Sequence, residues 1–129
     1  WITPNYQDEP LNEIKYLKEA INLLREEKRK KMLITHYQFF SLILNEDLNI
    51  PNRWYYPDNT FPWSQEHTYF NNYKNLLMNK IKKEKISVIY IVMPKTESYK
   101  EVFKRYFGDN CVYEKQNELA ITVDLKKCF

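Results

Sequence analysis

Glycine is nearly absent from this chain, since Gly108 is the only one among 129 residues. Loops that cradle phosphate groups need several glycines, because backbone N–H groups must approach the ligand closely. The sequence therefore excludes P-loop and dinucleotide-binding fingerprints, and we expect no cofactor.

Recognisable catalytic and metal-binding patterns are also missing. The only histidines, His36 and His67, lie far apart and belong to no metal-ligand spacing, so no metal site is expected. There is no GxSxG elbow, and the best acid–base grouping, Asp58 with Glu66 and His67, could be assembled only by free choice. We therefore expect no catalysis by this chain alone.

Two further shortages concern partners. No apolar run approaches the roughly 18 to 20 residues that span a bilayer. The net charge is only +3, which does not indicate nucleic acid unless a patch concentrates it, so nucleic-acid binding is not expected.

The material for a hydrophobic core is ample, with 43% hydrophobic and 16% aromatic residues. A chain of this size normally builds a single core, so residues 1–129 are expected to form one domain. Because the chain begins at Trp1, without a Met or a signal-peptide pattern, we expect it to be a piece of a larger protein.

Hydrophobic periodicity predicts alternating helices and strands. Amphipathic spacing indicates helices over residues 8–30, 37–44, 64–83 and 97–107. Apolar or alternating runs indicate strands over residues 32–35, 86–93, 112–115 and 119–125, and residues 45–63 read as a loop rich in proline and aromatics. This order predicts a small three-layer αβα sandwich, with a mainly parallel sheet and a C-terminal ending like a β-hairpin. An α+β sheet is the alternative.

Two basic segments, residues 25–31 (REEKRKK) and 80–85 (KIKKEK), each end a helix and precede a strand. If both strands are parallel, these segments share one rim of the sheet. Solvated helix ends are the favoured reading, and contact with acidic lipid headgroups or a polyanion is the alternative.

The opposite rim is the predicted binding site, because ligands of open α/β sheets bind beyond the carboxyl ends of the strands. The strand ends place His36, Tyr37 and Gln38 beside Lys95 there. The aromatic loop could add rings and polar groups suited to a sugar: Arg53, Trp54, Tyr55, Tyr56, Asp58 and Trp63. The favoured alternative is that this loop packs into the core or against a partner.

Cys111 and Cys128 flank a segment that is expected to fold back on itself. A bridge between them would stabilise the fold by roughly 3 kcal/mol and would require an oxidising compartment. Two buried free thiols are the other reading.

The order of segments resembles a known group of proteins. The segments AINLLREEKRKKMLITHYQFFSLIL, NIPNRWYYPDNTFPWSQEHTYFNNYKNLL and KIKKEKISVIYIVMP, with the CVYEK and LKKCF ending, resemble the C-terminal soluble domain of polytopic membrane proteins related to GT-C type glycosyltransferases. The resemblance implies a transmembrane body upstream and a position on the extracytoplasmic face of the cell membrane. It also implies a non-catalytic accessory role, in which the domain helps to bind an acceptor or braces the membrane portion. The partners that it implies are the transmembrane portion of the parent protein and a carbohydrate or lipid-linked sugar. A free-standing intracellular binding module of flavodoxin-like shape is the alternative.

Overall fold

A computed structural model of the protein describes residues 10–52, 55 and 61–128. These residues form an α/β fold with a four-stranded mixed sheet and four α-helices. Its elements in chain order are α1 (Pro10–Glu26), β1 (Lys31–Thr35), α2 (Phe40–Leu44), α3 (Phe70–Lys83), β2 (Val88–Val92), α4 (Thr96–Phe107), β3 (Val112–Lys115), β4 (Ala120–Asp124) and a C-terminal 3₁₀ helix (Leu125–Lys127).

The sheet has the strand order β1-β2-β4-β3. β1 and β2 are parallel, with Lys31 opposite Val88 and Thr35 opposite Val92, which confirms the predicted pairing of these two strands. β4 is antiparallel to both of its neighbours, β2 and β3. The prediction of a mainly parallel sheet, and with it the flavodoxin-like shape, is therefore wrong.

The connection between β3 and β4 explains this mixed topology. Only four residues separate the two strands, and so short a link permits an antiparallel hairpin but not a parallel crossover. The turn is held by the Asn117 side-chain oxygen, which accepts hydrogen bonds from the backbone N–H groups of Leu119 and Ala120 at 2.8 and 2.9 Å. The expected hairpin-like ending is therefore present, and it adds two antiparallel strands to the sheet.

Successive strand residues point to opposite faces of the sheet, and each face has its own apolar cluster. One face packs against α3 and α4, through residues such as Ile89, Ile91 and Val123. The other packs against α1 and α2, through residues such as Leu33 and Tyr90. The sheet is therefore covered by helices on both sides.

Three helices are shorter than predicted, and one of them is α2, which begins at Phe40 rather than at residue 37. α1 ends at Glu26 rather than near residue 30, because the Glu27 carboxylate accepts hydrogen bonds from the backbone and side chain of Arg29 and turns the chain. α3 begins at Phe70 rather than at Ser64, because residues 64–70 form two successive turns with bonds from His67 to Ser64 and from Phe70 to His67.

Two rims of the sheet matter for function. The carboxyl rim is the edge at which β1 and β2 end, at Thr35 and Val92. The amino rim is the edge at which they begin, at Lys31 and Val88. β4 ends at the amino rim, because its last residue, Asp124, pairs with Val88.

Candidate functional site

The carboxyl rim holds a small aromatic group centred on His36. The Nε2 atom of His36 lies 3.0 Å from the hydroxyl oxygen of Tyr99, and the His36 ring meets the rings of Tyr55 and Tyr99 edge-on. The Tyr99 hydroxyl also lies 3.4 Å from the backbone carbonyl of Tyr55. These contacts connect β1, the loop and α4.

Burial favours the neutral form of each side chain in this group. It lowers the pKa of His36 below its ordinary value, because a charged imidazolium would lose hydration. It raises the pKa of Tyr99, and that of Tyr55 by more, for the same reason. The arrangement therefore offers neutral hydrogen-bonding groups rather than a charged acid–base pair.

The described part of the aromatic loop packs into the interior. Tyr55 and Phe61 are fully buried, and Phe61 stacks on Phe103 and Tyr106 with ring centroids 5.0 and 5.3 Å apart. Trp63 meets the ring of Tyr99 edge-on. In this conformation these rings fill the layer between the sheet and α4, as expected when aromatic residues each bury a large area.

The other predicted site residues separate into two groups. Tyr37 is buried on the α1 side of the sheet, where its hydroxyl donates a hydrogen bond to the buried Glu13 carboxylate at 3.1 Å. Gln38 and Lys95 are exposed at the carboxyl rim. The remaining loop residues of the predicted site lie outside the described residues: Arg53, Trp54, Tyr56 and Asp58.

The structure thus brings His36 and Tyr55 together but points Tyr37 away from them. Tyr99, which the sequence placed only within the predicted helix over residues 97–107, completes the group. Its place at the start of α4, four residues after Lys95, was the available signal, because the first turn of a helix that follows a strand lies at the carboxyl rim. Among the described residues, no group of three or more His, Cys, Asp or Glu side chains is arranged to hold a metal ion.

The amino rim gathers most of the basic residues. Residues 25–31 and 80–85 both lie there, as their parallel strands require, and the 3₁₀ helix adds Lys126 and Lys127. These three segments contain eleven of the twenty Lys and Arg residues of the chain. Cations at the ends of α1 and α3 also complement the negative ends of the helix dipoles.

On the β1 side of this rim, two of the basic side chains, Arg29 and Lys31, are paired with carboxylates. The Glu27 carboxylate accepts hydrogen bonds from Arg29 and, at 2.7 Å, from the Tyr90 hydroxyl. Arg29, with help from Tyr90, lowers the pKa of Glu27 to about 2, against the opposing effect of burial. The Lys31 ammonium lies 3.0 Å from the Glu46 carboxylate. Carboxylates therefore offset part of the positive charge in this half of the rim.

On the α3 side, the rim opens into a cavity of about 580 Å³. Its apolar lining comes from Met78, Ile81, Ile86 and Leu125. Its basic lining comes from Lys82, Lys85 and Lys126, and none of these three ammonium groups has an ion-pair or hydrogen-bond partner within the described residues. The cavity therefore combines apolar walls with unpaired positive charge.

A disulfide bond lies at the same rim. Cys111 immediately precedes β3 and Cys128 immediately follows the 3₁₀ helix, and their sulfur atoms are bonded. The bridge closes the β3–β4 hairpin at its open end and holds the 3₁₀ helix that forms one wall of the cavity. Of the two readings left open by the sequence, the structure has the bridge.

Within the part of the chain that the structure describes, every helix is too short or too polar to serve as a membrane span. Comparison of the chain with protein-family models, with curated proteins and with solved structures found no match.

Proposed function

We propose that this chain is a non-catalytic accessory domain that works in an oxidising, extracytoplasmic compartment, as part of a membrane-bound protein resembling glycosyltransferases. The observation that carries the proposal is the Cys111–Cys128 disulfide. Disulfides persist in secreted, periplasmic and cell-surface proteins, whereas cytosolic glutathione and thioredoxin keep ordinary thiols reduced. The bridge supports the compartment, and the resemblance supports the parent protein.

The domain would assist acceptor binding or brace the membrane portion. Gln38 and Lys95 supply exposed polar groups at the carboxyl rim for such contacts. The apolar clusters on both faces of the sheet support a three-layer αβα sandwich. A body with two packed layers of core suits a bracing role, because densely packed interiors transmit force with little deformation.

The test is the oxidation state of the cysteines in the parent protein inside intact cells. Free thiols are blocked by a membrane-permeant alkylating reagent before lysis, and the protein is then reduced and labelled with a maleimide-linked polymer that retards it on a gel. We expect two added labels from Cys111 and Cys128, and none when reduction is omitted.

A Cys111→Ser, Cys128→Ser variant is the matched control and should take up neither label. If the wild-type cysteines are both blocked before lysis, the domain resides in a reducing compartment. That result would overturn the extracytoplasmic proposal and favour an intracellular binding module.

A further inference from the structure

We propose that the cavity at the amino rim binds a single-chain anionic amphiphile, a molecule with one aliphatic chain and a terminal phosphate or carboxylate. The proposal rests on the composition of the cavity and is independent of the compartment in which the domain works. About 580 Å³ lies within the usual range for small-molecule sites, roughly 300–1,000 Å³.

The apolar part of the cavity favours the aliphatic chain of the ligand. Met78 and Ile81 come from one face of α3, Ile86 from the segment before β2, and Leu125 from the start of the 3₁₀ helix. These side chains come from three separate elements and line a cavity that is open to solvent on one side. An aliphatic chain gains free energy for each methylene that it removes from water in such a site.

The basic part selects the head group. Lys82 and Lys85 stand at the end of α3, and Lys126 faces them from the 3₁₀ helix. The nearest acidic residues in sequence are Glu84, which does not line the cavity, and Asp124, which pairs with Arg29 at 3.7 Å. An anion at the mouth would therefore meet three cations without competition from a lining carboxylate.

An unbranched alkyl phosphate fits both requirements. A neutral or cationic amphiphile would cover the apolar walls of the cavity but would leave the lysines without a counter-charge. A polyanion such as nucleic acid would pair with the charges of the lysines but would leave the apolar walls exposed to water. Charge complementarity and apolar area together favour the single-chain anion.

The methionines supply a direct assay. The chain has three methionines, and Met78 lines the cavity, while Met32 in β1 and Met93, which directly follows β2, are fully buried. With the methionine methyl groups labelled with ¹³C, decyl phosphate is titrated below its critical micelle concentration. We expect the Met78 signal to move in a saturable manner, and the Met32 and Met93 signals to stay in place.

Chain length and charge then test the two halves of the cavity. From hexyl to octyl to decyl phosphate, each added methylene should lower the Kd by about fourfold until the chain fills the cavity. Decyltrimethylammonium, which has the same chain with the opposite charge, should not produce saturation. Comparable binding of the cation would overturn the proposal.

Substitutions locate the head group. Lys85→Gln and Lys126→Gln should each weaken decyl phosphate binding by about threefold to fivefold, the upper end of the range for an exposed charge pair. Lys83→Gln is the matched control, because Lys83 lies in the same helix and is exposed but does not line the cavity. Equal weakening by all three variants would show general attraction by the basic rim and would overturn the proposal.

Vesicles distinguish a ligand cavity from a membrane-contact surface. Binding to vesicles of phosphatidylglycerol, with no shift of Met78 by monomeric decyl phosphate, would overturn the cavity proposal in favour of surface contact with anionic lipid. Saturable binding of the monomer supports the cavity whether or not the vesicles bind.

Discussion

Lys85 lies two residues after the end of α3 and has a backbone conformation that is unfavourable for a residue with a Cβ atom. Its φ of 55° places it in the left-handed region, which L-residues other than glycine and asparagine seldom adopt. The conformation is imposed by the helix ending, in which the N–H of Ile86 bonds to the carbonyl of Ile81 at 2.9 Å and that of Lys85 to Lys82 at 3.3 Å. This pair of bonds is the Schellman motif, whose left-handed position is usually glycine.

Replacing Lys85 by glycine should therefore stabilise the fold. The left-handed conformation costs a residue with a Cβ atom roughly 1–2 kcal/mol, and glycine removes that cost. Glycine also loses more backbone entropy on folding, by roughly 0.5–1 kcal/mol relative to alanine. The exposed Lys85 side chain loses no hydrogen bond within the described residues, so we expect a net gain of about 0.5–1 kcal/mol.

Urea unfolding of the oxidised chain measures this difference as a higher midpoint with an unchanged slope. Lys85→Ala retains the Cβ atom and should leave stability near that of the wild type. Lys83→Gly lies within α3 itself and should cost up to about 1 kcal/mol. The reasoning is refuted if Lys85→Gly fails to stabilise, or if Lys85→Ala stabilises as much. The same Lys85→Gly variant should bind decyl phosphate more weakly, which separates the stability of the fold from the function of the cavity.

Three further changes test other parts of the structure. The Cys111→Ser, Cys128→Ser variant should lose about 3 kcal/mol of unfolding free energy by the loop-entropy relation, because the bridge spans 17 positions. Urea unfolding of both proteins, with and without reductant, measures this loss. Equal stability of the variant and the oxidised wild type would show that the bridge is absent. Glu27→Gln should lower the free energy of unfolding by about 1–2 kcal/mol at pH 7. This value is smaller than the lowered pKa of Glu27 alone would give, because Arg29 is 42% exposed and water screens its charge. Since the pKa of Glu27 is lowered in the fold to about 2, its contribution is complete above about pH 4.5 and is lost as the pH falls toward 2, so the variant should show a flatter loss of stability over that window. Phe61→Ala should cost roughly 3–5 kcal/mol in unfolding free energy, because it empties a fully buried ring site, whereas a cost below 1 kcal/mol would contradict the packed loop.

Local sequence patterns could predict the elements whose burial follows from their own residues. β2 lies within an unbroken run of β-branched and apolar residues, and all five of its positions are buried. The basic segments before β1 and β2 follow from the helix endings, and parallel pairing then places both at one rim. These features needed no knowledge of distant contacts.

The place of β4 in the sheet could not be predicted in this way. The alternating residues agree with the burial of β4, in which Ile121 and Val123 are buried while Thr122 and Asp124 are partly exposed, but they do not show that β4 lies between β2 and β3 rather than at an edge. β3, which has one of the edges, is mostly exposed instead. A period of two in the sequence shows that faces alternate, but it does not show how many neighbours a strand has.

The position of the candidate site depended on the same missing information. Sequence reasoning favoured the carboxyl rim, where His36 and Tyr55 are in fact close together but largely enclosed by Tyr99 and the packed loop. The cavity lies at the amino rim and needs residues from α3 and from the 3₁₀ helix. Only the direction of β4 brings those two segments together.

The antiparallel pairing of β4 therefore explains several features at once. Asp124 pairs with Val88 on one side and with Val112 on the other, so the end of β4 meets the beginnings of β2 and β3 at the amino rim. The first consequence is that Cys111 and Cys128 come within bonding distance. The second is that Leu125 and Lys126 face the end of α3 and complete both the apolar and the basic lining of the cavity. If β4 ran the other way, the disulfide and the third lysine would be lost together, so the proposed compartment and the proposed ligand depend on one element of topology even though their tests are independent.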